Sequence, residues 1–178
     1  MTERPTVVLV DEDGSVRGTA SKLEAHQPPG QLHLAFSVFL FRADGRVLLQ
    51  RRADGKYHFP GVWANACCSH PAPGEDVVAS AEARLVEELG LSCRLRPVGT
   101  FVYRAACGVT GLVEHELDHV LVGTTDGTPR PDPGEVAATA WADPALVAAG
   151  AAPDGGPLAP WLRPALALAV PSAGASAT

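Results

Sequence analysis

The segment His33–Phe41 reads His-Leu-Ala-Phe-Ser-Val-Phe-Leu-Phe and is apolar at almost every position. A strand with one wet face alternates apolar and polar side chains, so a strand that stays apolar along its length is expected to be covered on both faces. That cover takes a layer of other elements on each side of the sheet. The apolar part, Leu34–Phe41, is eight residues long, too short to cross a bilayer.

The flanking sequence supplies those layers. Thr6–Val10 and Val16–Ala20 read as strands around the turn Asp11–Gly14, and Ser21–Ala25 as a helical turn halted before Pro28-Pro-Gly30. Ala43-Asp-Gly-Arg46 reads as a hairpin turn into a strand over Val47–Arg51. Tyr57–Asn65, broken by Pro and Gly, and Cys67–Gly74 read as loop. Over Asp76–Leu89 the residues Val77, Val78, Ala81, Leu85 and Leu89 recur at helical spacing, and Gly90 stops the helix. Strands are expected over Leu95–Arg104, Leu112–Val122 and Val136–Trp141, and short helices over Asp143–Ala149 and Pro160–Val170. This order places the chain in the α/β class, as an α/β/α sandwich with mixed sheets. No GxGxxG follows a strand, so a dinucleotide fold has no support.

A chain of 178 residues, 46% of them hydrophobic, fits one domain. It is expected over residues 1–170, with the small, polar Pro171–Thr178 as a disordered tail. The net charge of −6 argues against a nucleic-acid partner while leaving room for a local cationic cluster around a small anion. The start Met-Thr-Glu-Arg-Pro lacks the basic and apolar segments of a secretory signal, so a cytoplasmic protein with no membrane partner is expected, acting as a monomer. Cys67, Cys68, Cys93 and Cys107 contain no CxxC pair, which leaves free thiols. Cys93 and Cys107 are expected to be small buried apolar residues.

One scattered set of residues is richer in chemistry. Lys22-Leu-Glu-Ala-His26, His33, Asn65-Ala-Cys-Cys-Ser-His70 and Glu114-His-Glu116 offer three histidines and two glutamates, enough to surround one divalent cation, with a thiol in their midst. On a strand Glu114 and Glu116 project to one face, and His115 and His119 to the other. Mixed nitrogen and oxygen donors suit Mn²⁺, Mg²⁺ or Zn²⁺ alike. His58, His115 and His119 are expected to be bystanders.

The helix and its leading loop resemble the Nudix box, GX5EX7REUXEEXGU with U apolar. Glu75, Glu87, Glu88, Gly90 and Leu91 match it, whereas Ser69 stands for the opening Gly and Ala83-Arg84 for the Arg-Glu pair. Nudix hydrolases hold Mg²⁺ on a diphosphate with the box carboxylates, so Arg84 removes one such ligand. The chain as a whole, from about Thr6 to Trp161, resembles the type 1 isopentenyl-diphosphate Δ-isomerases of the Nudix superfamily. The markers are Lys22-x3-His26, Gln31-Leu-His33, Leu34-Ala-Phe-Ser37, Arg51-Arg52-Ala, Pro60-Gly-Val-Trp63, Asn65-x2-Cys68-x-His70-Pro71, Tyr103-Arg-Ala105, Glu114-x-Glu116 and Pro160-Trp161.

The resemblance implies a Nudix-type fold and conversion of isopentenyl to dimethylallyl diphosphate, by protonation at C4 and deprotonation at C2 through a tertiary carbocation. It implies a metal held by His26, His33, His70, Glu114 and Glu116. Cys68 and Glu116 become the acid–base pair on opposite sides of the substrate, Tyr103 their hydrogen-bonding partner, and Trp161 the ring facing the cation. The alternative for Trp161 is a closing core residue. Lys22, Arg52, Lys56 and Arg84 are implied to bind the diphosphate, and Glu88 a Mg²⁺ bridging its oxygens, with the Cys68 backbone carbonyl as a further contact. Cys68, two residues before His70, is selected over Cys67, which is expected to pack. Arg51 is expected to face solvent. Two other classes compete: a Nudix hydrolase of a nucleoside or prenyl diphosphate, and a non-catalytic metal or diphosphate sensor. The missing box glutamate and the Cys68–Glu116 pair argue against the hydrolase.

Overall fold

The structure, a computed structural model, describes residues 6–173. In chain order the elements are β1 Thr6–Val10, β2 Val16–Ser21, α1 Lys22–His26, β3 His33–Phe41, β4 Val47–Arg52, β5 Trp63–Asn65, β6 Cys67–Ser69, α2 Val77–Leu89, β7 Arg96–Ala106, β8 Val113–Thr124, β9 Val136–Ala142, α3 Pro144–Ala148 and α4 Leu162–Ala173. The apolar strand β3 is the hub. Along one edge it pairs in parallel with β8, from His33 opposite Glu116 to Phe41 opposite Thr124. Along the other edge it meets β1, β6 and β4 in turn, all antiparallel. β4 also pairs with β5 and β9, and β7 with β8, so the mixed strands join into one connected network.

Both faces of β3 are covered, as its composition demands. Phe36, Val38 and Leu40 pack with Ala81, Leu85 and Leu89 of α2. Phe39 and Phe41 pack on the opposite side with Leu162, Ala165, Leu166 and Ala169 of α4. Burying each large apolar side chain contributes about 1.5–3 kcal/mol, and Phe36, Phe39 and Leu40 are fully buried. The result is the three-layer α/β/α arrangement, and the site forms on the α4 face.

Local signals explain the helix ends. Ser21 caps α1 in a reciprocal capping box with Glu24. Asp76 accepts from Ala79 N–H at the start of α2, and Gly90 ends it in the left-handed conformation, φ 62°. Two differences from the sequence expectation stand out. β5 and β6 are strands where loop was expected, each only three residues long, too short for an alternation to register. Helix α4 runs on through Pro171 to Ala173, three residues into the expected tail; the proline removes one N–H donor, a loss the helix carries near its end. The rest of that tail, 174–178, lies outside the described residues. Among the described residues no helix is long and apolar enough to cross a membrane.

Candidate active site

Strand register builds one wall of the site. His33 on β3 and Tyr103 on β7 both stand opposite Glu116 on β8, so the three share a face. Glu114 lies two residues before Glu116 on the same face. His26 ends the short helix α1, and His70 follows β6. The ligand atoms of His26, His33, His70, Glu114 and Glu116 all lie within 4.8 Å of one another, and all five residues are buried.

Hydrogen bonds at the rim aim the imidazoles inward. His26 Nδ1 lies 2.6 Å from the Lys22 carbonyl and His33 Nδ1 lies 2.8 Å from that of Gln31. A carbonyl only accepts, so each Nδ1 carries a proton and each Nε2 faces the cluster. There His26 Nε2 is 2.9 Å from Glu114 Oε2, His70 Nε2 is 2.8 Å from Glu116 Oε1, and His33 and His70 Nε2 are 3.2 Å apart. Three imidazole nitrogens and two carboxylates converging on one buried point fit a divalent cation. Burial pushes His70 well below the usual imidazole range, whereas in His26 the Glu114 carboxylate outweighs burial and raises the pKa.

His58, expected to be a bystander, lies outside the five-residue cluster but packs against it. It is buried, its Nε2 lies 3.2 Å from Glu114 Oε1, and its ring centre lies 4.9 Å from that of His26. Burial lowers its pKa to about 3. The loop after β4 folds it in: Arg52 donates to the His58 and Phe59 carbonyls, and no sequence spacing foreshadows that. His115 and His119 are half-buried on the far face of β8, His115 against the Gly30 carbonyl.

Register also separates the two adjacent thiols. Cys68 stands opposite Ser37 and Cys67 opposite Val38, so Cys68 faces the His/Glu cluster while Cys67 packs in the α2 core. Cys68 Sγ donates to Asn65 Oδ1 at 3.0 Å and accepts from Trp161 Nε1 at 3.2 Å. Burial, and after it the charge of Asp118, push the thiol far above its ordinary range, so it stays protonated. Trp161 is both a buried core residue and part of the cleft wall. Of the other thiols, Cys107 is buried and accepts from Phe59 N–H, whereas Cys93 is only half-buried.

Glu116 is the complement of Cys68. Burial alone would raise its pKa, but the hydrogen bond and charge of His33 outweigh it, and with Tyr103 they hold it to about 2. Tyr103 Oη donates to Glu116 Oε2 at 2.5 Å, and burial together with the neighbouring carboxylate keeps the phenol protonated. Sequence reasoning missed Asp118. It continues the 114, 116 alternation, is fully buried, and accepts from Ser37 Oγ at 2.7 Å with Oδ2, while Oδ1 has no hydrogen-bond partner among the described residues. The period-two rule that grouped Glu114 with Glu116 reaches it directly.

Lys22, Arg52, Lys56 and Arg84 line the same cleft as Cys68, Tyr103, Glu116 and Trp161. A register shift between Arg51 and Arg52 where β4 meets β9 accompanies the turn of Arg52 toward Trp161, 5.9 Å from guanidinium to ring. Arg51 is half-buried and not solvent-facing; it lies near enough to Asp154 to bear on that carboxylate's charge. Lys22 sits over the Tyr57 ring, 5.3 Å from its centre. Glu135, which sequence reading passed over, pairs with Lys56 at 2.5 Å and with Arg84 at 3.1 Å. Arg84 also meets Glu87 at 2.9 Å and Glu88 at 2.8 Å. The Glu88 contact leaves Arg84 Nε off the hydrogen-bonding line, so it is an ion pair only. Glu88 is buried and accepts from Gln50 Nε2. Glu75 is exposed and bonds Ala72 and Ser80, shaping the loop ahead of α2.

Comparisons with known proteins bear on the family and the fold. The NUDIX domain family model matches residues 31–162. A Nocardia farcinica protein named isopentenyl-diphosphate Delta-isomerase is 56% identical over 163 residues, 92% of this chain and 93% of that protein. A Halorhodospira halophila protein of the same name is 53% identical over 80% of this chain and 82% of its own length. Among solved structures, the Deinococcus radiodurans protein DR0079 superposes with a TM-score of 0.73 at 20% identity, over 91% of this chain and 97% of that one. The MutT protein of Methanosarcina mazei does so with a TM-score of 0.63 at 15% identity, over 76% and 91%. These two likenesses concern the fold alone.

Proposed function

This chain belongs to the NUDIX family, within its isopentenyl-diphosphate Δ-isomerase branch, and we propose from that premise how its residues act. The protein is an isomerase that converts isopentenyl diphosphate to dimethylallyl diphosphate, an isoprenoid building block. The observation that carries the mechanistic reading is a single cleft lined by four cationic side chains together with Cys68, Glu116, Tyr103 and Trp161.

Lys22, Arg52, Lys56 and Arg84 would take the diphosphate, which leaves the apolar alkene toward Trp161 and Tyr103. An unactivated alkene is a very weak base, so its protonation needs a positioned acid shielded from water. A proton added at C4 forms the C4–H bond from the alkene electrons and leaves a tertiary cation at C3. Loss of a proton from C2 returns the C–H electrons as the C2–C3 double bond, and return of a proton from the base to the acid resets the pair, so no other reactant is consumed. Cys68 as a thiol and Glu116 as a carboxylate begin in the complementary states that such a pair requires. The Trp161 ring would stabilise the cation between the two transfers.

His26, His33, His70, Glu114 and Glu116 would hold a divalent ion, Mn²⁺, Mg²⁺ or Zn²⁺. Glu88, with the Cys68 carbonyl, would hold Mg²⁺ on the diphosphate. Bound there, the ions would supply positive charge that tunes the Glu116 carboxylate and offsets the phosphates. The reading extends to one catalytic domain over residues 1–170, working as a cytoplasmic monomer on a small-molecule substrate.

Proton NMR tests it. Isopentenyl diphosphate with Mg²⁺ should yield dimethylallyl diphosphate, and Cys68→Ala should abolish turnover. Release of phosphate without isomerisation would instead favour a hydrolase.

A further inference from the structure

We propose that Ser37 and Asp118 form a positioning pair that sets the direction of the hydrogen bonds around the Cys68 thiol; this rests on the isomerase reading. Both residues are buried, Ser37 at 1% exposure and Asp118 at 0%, and neither is among the residues lining the cleft. A fully buried carboxyl group with one oxygen lacking a hydrogen-bond partner among the described residues is costly to keep, so its placement calls for a reason.

The donors and acceptors supply one. Ser37 has a single hydroxyl hydrogen, and the 2.7 Å bond to Asp118 Oδ2 uses it. Only lone pairs are left to face Cys68 Sγ, 3.7 Å away. Asn65 is fixed in the same sense. Its amide nitrogen donates to the Val38 and Cys67 carbonyls at 3.1 and 2.9 Å, which turns Oδ1 toward Sγ at 3.0 Å. Trp161 Nε1 shares its N–H between Asn65 Oδ1 at 3.1 Å and Sγ at 3.2 Å, and so is the donor on the sulfur. The thiol proton is therefore framed by two acceptors, Asn65 and Ser37, while a lone pair of Sγ receives Trp161. Without the Asp118 acceptor the Ser37 hydroxyl is free to rotate its hydrogen onto Sγ, converting an acceptor into a second donor and redirecting the S–H bond. Asp118 thus acts on Cys68 through Ser37 and touches neither substrate nor reacting atoms.

The test is a double-mutant cycle with kcat and KM for isopentenyl diphosphate read by proton NMR, and melting temperature as the folding control. Asp118→Ala, which removes the acceptor, should lower kcat by about tenfold with KM within about twofold, because proton delivery and not binding is disturbed. Ser37→Ala should lower kcat by about threefold. In the Ser37→Ala background Asp118→Ala should cost little more, since its intermediary is gone. The same loss in both backgrounds, a loss confined to KM, or unchanged kcat would overturn the proposal. If Asp118→Ala fails to fold, Ser37→Ala alone decides between lowered and unchanged kcat. No product from the unsubstituted protein would overturn the isomerase reading and this proposal with it.

Discussion

Tyr103→Phe isolates one hydrogen bond at the centre of the site. The phenol donates to Glu116 Oε2 at 2.5 Å, with both groups buried. The substitution keeps the ring, which stacks on Phe101 at 5.5 Å and faces Trp161 at 6.0 Å. It therefore removes a hydroxyl and little else. A hydrogen bond to a charged group contributes about 1.5–3 kcal/mol, and leaving a buried acceptor without its donor costs about 1–3 kcal/mol. Glu116 Oε1 keeps His70 at 2.8 Å, so the carboxylate stays held on one side. If the bond is fully expressed in the rate-limiting proton transfer, kcat should fall roughly 10- to 150-fold. KM should move little, because the diphosphate cations are untouched. The melting temperature should also drop, since the orphaned oxygen destabilises the fold. The measurement is steady-state isomerisation by proton NMR beside a thermal melt. A kcat within threefold of the unsubstituted protein, with the fold intact, would refute the reasoning that Tyr103 holds Glu116 for proton transfer.

Other consequences can be checked in the same protein. In metal-free protein stability should decline as pH falls from about 6.5 to about 3. The unfolded His58 takes a proton near 6.5, whereas the folded one resists until about 3, and His70 is shifted in the same direction. Glu116 adds a loss from about 4.5 toward about 2, while raised His26, Asp118 and Glu88 oppose the trend, each contributing at low pH and fading as pH rises through its folded value. Melts of His58→Asn should show a flatter upper part of that decline, and an identical profile would sink the assignment. Chelation should lower the melting temperature, and readdition of Mn²⁺ or Zn²⁺ at about 100 times its dissociation constant should restore about 2.7 kcal/mol; a melt indifferent to both would show that the His/Glu cluster holds no ion. Arg84→Glu should cost about 3–5 kcal/mol by leaving buried carboxylates without their cation, and millimolar Mg²⁺ should recover part of the lost melting temperature.

How far the sequence foretold this site depends on where each residue sits. The apolar run His33–Phe41 required cover on both faces, and α2 and α4 provide it. The alternation at Glu114 and Glu116 put two carboxylates on one face, and extending it one step would have included Asp118. Cys68 and Cys67 were separated by a motif, and strand register supplies the physical reason. His58 and Glu135 were not legible, because they reach the site on irregular segments whose course is decided by Arg52, Lys56 and Arg84 folding against them. Trp63–Asn65 and Cys67–Ser69 looked like loop because three residues bear no periodicity, yet they dock on β4 and β3 through backbone bonds that any side chain permits.

The Arg84 position ties the family resemblance to electrostatics. A Nudix box gathers carboxylates along one helix face so that a divalent ion can neutralise them. Here Glu87 and Glu88 remain, Glu135 joins them from another segment, and the guanidinium of Arg84 lies against all three at 2.8–3.1 Å. Burial disfavours the charged guanidinium, but these carboxylates, Glu88 foremost, outweigh it and raise its pKa. The chain thus carries part of its neutralising charge as a side chain, whose planar donors suit phosphate oxygens as well as carboxylates. On the proposed function, an incoming diphosphate would exchange places with Glu87, the exposed partner, at little desolvation cost, while Glu88 and Glu135 keep the guanidinium in place. The change that removes a hydrolase metal ligand would thereby leave a positioned phosphate site. The bond to be remade would then lie at the far end of the substrate, beside Cys68 and Glu116, and not at the phosphorus.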